Sequence, residues 1–106
     1  MQQKPQIVLN TCPDKETAQA IARQLVELQL AACVNIIPAI ESVYCWQGKV
    51  ESETEYLLII KTQSGCYTEL ESTIQALHPY ELPEVVAVSI EAGLPAYLDW
   101  INNNTK

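Results

Sequence analysis

CVNIIPAIESVYCWQGKVESETEYLLIIKT, residues 33–62, decides the fold. It is rich in β-branched and aromatic residues, which suit a pleated, half-buried surface. Gln47-Gly48 is a turn signal in its middle. The stretch therefore predicts two long strands, Cys33–Gln47 and Lys49–Thr62, folded into a hairpin. Strict alternation puts Val34, Ile36, Ile40, Tyr44 and Trp46 on one face of the first strand. Ile37, Val43 and Cys45 fall on the other. Pro38 has no N–H for a ladder, so it marks a bulge or an edge stretch.

Upstream, Gln6–Thr11 reads as a short strand, punctuated by Cys12-Pro13-Asp14. Asp14 is placed to cap a helix over Lys15–Leu30. Ala18, Ile21, Ala22, Leu25 and Leu28 give that helix one apolar stripe. Downstream of Ser64-Gly65, the spacing of Tyr67, Leu70, Ile74 and Leu77 predicts a second amphipathic helix, halted by Pro79. A proline-rich loop, His78–Glu84, follows. Val85–Ile90 is a strand apolar enough to be central. Pro95 sits near the first turn of a last helix packing through Leu94, Leu98 and Ile101.

The order β-α-β-β-α-β-α is the split βαβ pattern of a ferredoxin-like α+β sandwich. It predicts an antiparallel four-stranded sheet with a long central hairpin, helices on the sheet and an extra C-terminal helix. With 106 residues, 1–106 is expected to form one such domain.

The hairpin is too long for its body. A strand of about 14 residues at ~3.4 Å each runs roughly 45 Å. A sphere with the radius of gyration expected for this length is roughly 33 Å across. The overhang carries Val43, Tyr44, Cys45 and Trp46, an apolar patch that neighbouring subunits would cover, unless strong twist or a fold-back at Pro38 tucks the hairpin in.

Composition narrows the function. The net charge is −7, from six basic and thirteen acidic residues. The basic residues are scattered, so nucleic acid and anionic membranes are not expected partners. Apolar runs such as Leu57–Ile60 are too short to span a bilayer. The stretch Met1–Pro5 lacks the apolar core of a leader, which points to the cytosol. Cys12, Cys33, Cys45 and Cys66 form no CxxC pair. Cys33 and Cys45 read as buried thiols. Cys12 and Cys66 stand near helix starts, where a thiol pKa can fall, but the inert thiol is the favoured reading for each. No P-loop, GxGxxG, HExxH or GxSxG is present, and no enzyme activity is expected.

Two features carry candidate chemistry. Glu51, Glu53 and Glu55 alternate along one strand face, either as a solvated edge or as a gatherer of hard cations. His78 ends the second helix, where an imidazole can meet terminal carbonyls or serve as a metal ligand.

Three stretches together resemble the CutA divalent-cation tolerance family: Leu30–Pro38 (LAACVNIIP), Ser42–Lys49 (SVYCWQGK) with Lys61-Thr62, and His78–Glu84 (HPYELPE). The resemblance covers about residues 6–101. It implies a ferredoxin-like protomer in a tight homotrimer, with tolerance of divalent metals as its function and copper as a bound ion. It also implies an architectural kinship to the trimeric PII signalling proteins. The alternative function is thus a PII-like module taking a small ligand or a protein partner between subunits. In the resemblance Lys61, Tyr80 and Glu84 line the inter-subunit cleft and His78 is the metal residue. The family's cysteine ligand position is Asn10 here, and Leu77 stands where a second histidine would be. The expectation is weak, pH-dependent binding of Cu²⁺ or a related divalent ion through His78.

Overall fold

Seven principal elements follow one another in the computed structural model, which describes residues 3–106. They are β1 (Pro5–Cys12), α1 (Lys15–Glu27), β2 (Cys33–Trp46), β3 (Lys49–Gln63), α2 (Tyr67–Leu77), β4 (Val85–Ser89) and α3 (Pro95–Asn103), with a 3-10 turn at Ser64–Cys66 before α2. Met1 and Gln2, part of the stretch read for a leader, lie outside the described residues. The predicted α+β order holds, and the four strands form one antiparallel sheet in the order β2-β3-β1-β4.

β4 is therefore an edge strand, not the central one its apolar sequence suggests. Alternation explains why it looks central. Val85 turns toward the core, while Val86 and Val88 stand on the opposite face, 48% and 52% exposed.

The core lies between the sheet and α1 and α2. Val8, Leu58 and Ile60 from the strands meet Ile21, Leu25, Leu70 and Ile74 from the helices, all fully buried. α1 starts as expected: the Asp14 carboxylate accepts from the Thr17 N–H at 2.7 Å. α3 packs against β3 and β1 and buries Ile101, but Leu94 is 72% exposed and lies off its packing face.

Pro38 does mark a bulge, and the bulge rewrites the faces of β2. The β2–β3 register shifts between Ile37 and Ile40, and Ala39 takes φ +60°. Val34 and Ile36 pair with Ile60 and Leu58 and lean on the core. Past the extra residue the parity inverts. Ile40, Ser42 and Tyr44 now stand opposite Glu55, Glu53 and Glu51, on the face away from the core. Simple alternation had grouped Ile40, Tyr44 and Trp46 with Val34 and Ile36, and the bulge separates them.

That other face is apolar too. Ile7, Leu9, Leu57 and Ile59 are only half-buried there, beside Ile37, Val86 and Val88. The hairpin outruns the sheet as expected. β1 pairs with β3 only from Tyr56 to Gln63, so Ile40–Trp46 and Lys49–Glu55 pair with each other alone, as a two-stranded ribbon. The principal extents, 44 × 25 × 24 Å, record this projection.

Candidate functional site

The ribbon and the His78–Glu84 loop flank a groove of about 860 Å³. Tyr44 and Trp46 come from the β2 side of the ribbon, where the bulge turned them to this face, and Glu51 and Glu53 come from its β3 side, on the unbroken parity of Leu57 and Ile59. Tyr80, Glu81, Leu82 and Glu84 come from the loop, and Thr11 and Glu55 form part of the lining. No basic residue lines it. Glu51 and Glu53 are exposed, as a solvated strand face would have them, but Glu55 is buried. The Tyr80 hydroxyl donates to Glu55 Oε2 at 2.9 Å, joining loop to ribbon. Burial, and then the acceptor carboxylate, push the Tyr80 phenol well above its usual range.

The loop is tied to the end of β1 at both of its ends. Asn10, fully buried, donates from Nδ2 to the Glu84 carbonyl at 2.8 Å, and its Oδ1 accepts from the Cys12 thiol at 3.4 Å. His78 Nε2 donates to the Thr11 carbonyl at 2.7 Å, and Nδ1 accepts from the Tyr80 N–H at 3.1 Å. His78 does cap α2, but through its backbone N–H on the Ile74 carbonyl, while its ring serves β1 and the loop.

Of the residues expected at the cleft, Tyr80 and Glu84 come together in the groove, whereas Lys61 does not. Lys61 lies six positions further along β3 than Glu55, roughly 20 Å away at strand rise. Its Nζ donates to Asn35 Oδ1 on β2.

The inert reading of Cys12 and Cys66 holds, whereas the burial expected of Cys45 does not. Cys12 and Cys66 are buried, and Cys45 is exposed. Burial, with Asp14 and Glu55 nearby, pushes the Cys12 thiol up to about 12. Cys66 is also raised, by burial first. Proximity to a helix start loses to desolvation here. All four thiols are free. Among the described residues, no three His, Cys, Asp or Glu side chains converge to hold a metal ion.

The family described as "CutA1 divalent ion tolerance protein" matches residues 6–104. The chain belongs to the CutA1 divalent ion tolerance family. It is 48% identical over 100 residues to the divalent-cation tolerance protein CutA of Thermus thermophilus, covering 94% of this chain and 97% of that one. The solved Thermus structure superposes with a TM-score of 0.95 at 47% identity, covering 96% of this chain and 99% of the other. The CutA protein of Mus musculus is 48% identical over 96 residues, 91% of this chain, although the chain spans only 54% of that protein's length. A CutA structure from Archaeoglobus fulgidus, called periplasmic, matches with a TM-score of 0.93 at 41% identity, over 96% of this chain and 99% of that one. The family description names ion tolerance and no reaction.

Sequence reasoning missed two residues of the site. Asn10 sits in the QIVLNT strand on the core-facing parity of Val8, and a buried amide there signals a tie to a neighbouring loop. Thr11 contributes only its carbonyl, which no side-chain pattern reveals.

Proposed function

We propose that this CutA1 chain is the protomer of a homotrimer serving divalent-cation tolerance, with Cu²⁺ or a related divalent ion as its cation. The apolar surface carries the reading. A two-stranded ribbon is marginal in water by itself, yet this one exposes Val43 (65%), Trp46 (53%) and Val50 (78%). The sheet face away from the core adds Ile37, Val86 and Val88. A contact between the ribbon of one copy and the β4 edge of the next joins unlike surfaces, the head-to-tail kind of contact from which rings are built when the rotation closes. Three copies in that ring is what the family resemblance implies. Such a ring also offers Lys61 of a neighbouring copy to Tyr80 and Glu84, completing the cleft that one protomer leaves open.

The charge suits a cation partner. Each chain carries −7, so a trimer has three times that, which draws cations to its surface. The groove, walled by aromatics and carboxylates, favours a second reading in which a small ligand or partner occupies the cleft. The cytosol belongs to the first reading, supported by four unpaired thiols.

Calorimetric titration with CuCl₂ and with ZnCl₂ at pH 7.5 tests the cation. Saturable heat at a fixed ratio per trimer supports it. Flat titrations with every divalent ion, alongside saturable binding of an organic ligand in the cleft, would move the function to the second reading.

A further inference from the structure

The sole histidine has no lone pair to spare. A carbonyl only accepts, so the 2.7 Å contact of His78 Nε2 with the Thr11 carbonyl requires the proton on Nε2. Nδ1 then holds the one ring lone pair, and it already accepts from the Tyr80 N–H at 3.1 Å. The ring is 7% exposed and packs against Tyr80, with centroids 4.7 Å apart. A metal ion at Nδ1 would displace the Tyr80 amide. One at Nε2 would strip the Thr11 carbonyl of its donor.

The neighbouring groups fit a metal no better. Asn10 is engaged on both sides, giving an amide proton to the Glu84 carbonyl and accepting the Cys12 thiol at its oxygen, and an amide nitrogen has no lone pair for a metal. A Cys ligand must be a thiolate, whereas the Cys12 thiol is fully buried and acts as a donor to Asn10 Oδ1. Copper implied at this place by the family therefore does not fit the residues present in a protomer.

We propose that Asn10, Cys12 and His78 form a closed hydrogen-bond lock that straps the 78–84 loop onto β1, and that His78 is a positioning residue for Tyr80 rather than a metal ligand. The lock spans both loop ends. His78 holds the entry through Tyr80 N–H, and Asn10 holds the exit through the Glu84 carbonyl. Between these ties the Tyr80 hydroxyl reaches Glu55 Oε2, so the lock helps set that wall of the groove. The lock rests on contacts within one protomer, so it stands or falls separately from the trimer and from the identity of the cation.

Imidazole ¹⁵N NMR of the full chain reads the lock directly, since a single histidine gives one pair of ring signals. At pH 7.5 the expected pattern is a protonated Nε2 and an unprotonated Nδ1. One equivalent of Cu²⁺ should leave both ring signals no more broadened than the average backbone amide. The opposite tautomer, or selective loss of the ring signals at substoichiometric Cu²⁺, would overturn the proposal. His78→Gln supplies a second reading, because an amide can also donate and accept. Its Cu²⁺ isotherm should lie within about twofold of the parent's, and a tenfold loss of affinity would make the histidine a ligand.

Discussion

Cys12 shows how little a residue's neighbours in sequence say about its chemistry. Two residues before a helix cap a thiol can be activated, and the inert reading favoured for Cys12 holds because its environment keeps it a neutral donor. The folded thiol, pushed to about 12 from an ordinary 9.0, keeps its proton where the unfolded chain has lost it. Stability should therefore be full below pH 9 and fall between pH 9 and 12, by up to roughly 1.4 kcal/mol per pH unit from this group. The raised Tyr80 phenol acts in the same direction. Urea midpoints at pH 8, 9 and 10 should decline, and Cys12→Ala should flatten the decline; an equal slope in the variant would refute the assignment. Tyr80→Phe should cost about 1–3 kcal/mol by leaving buried Glu55 without its donor. The same denaturation at pH 7.5 checks it, and an unchanged midpoint would mean that the pair contributes nothing. Tyr80 and Glu84 were legible as site residues from their motif. Asn10 as a tie and Glu55 as a partner were not, because both depend on contacts between residues far apart in the chain.

The elements were legible almost throughout, because period and punctuation specify them locally. Helix α1 has its Asp14 cap and its stripe, and α2 ends where Pro79 requires. Asp14→Ala should lower stability by about 1 kcal/mol, read as a drop in the thermal midpoint. Facing was harder. Pro38 announced a bulge, but whether it shifts the parity of everything beyond it depends on which residue is extruded. Ala39 at φ +60° is that residue, in a region that costs a non-glycine residue roughly 1–2 kcal/mol. Ala39→Gly should raise stability by roughly 0.5–1 kcal/mol, and Ala39→Val should lower it. If both variants lose stability equally, the left-handed bulge is not what turns Tyr44 and Trp46 into the groove. The edge position of β4 was misjudged for a related reason. An apolar strand reads as central when its outer face is to be covered by something other than its own sheet.

At the scale of the molecule, the length of residues 33–62 against the size of the body was the informative quantity. Strand rise and domain radius predicted an overhang, and the chain extends 44 Å along one axis and 25 Å across. A ribbon paired only with itself and an apolar second sheet face both call for cover, which the proposed trimer would supply. Charges placed on that face should break the assembly. Val86→Glu with Val88→Glu should leave α1, α2 and the core intact by circular dichroism while shifting the species in solution to monomer. The central claim, that three copies close over these surfaces, is tested most directly by sedimentation equilibrium of the unmodified chain at micromolar concentration. The account predicts one species close to three times 11.8 kDa; a species of 11.8 kDa with no heavier component would contradict it.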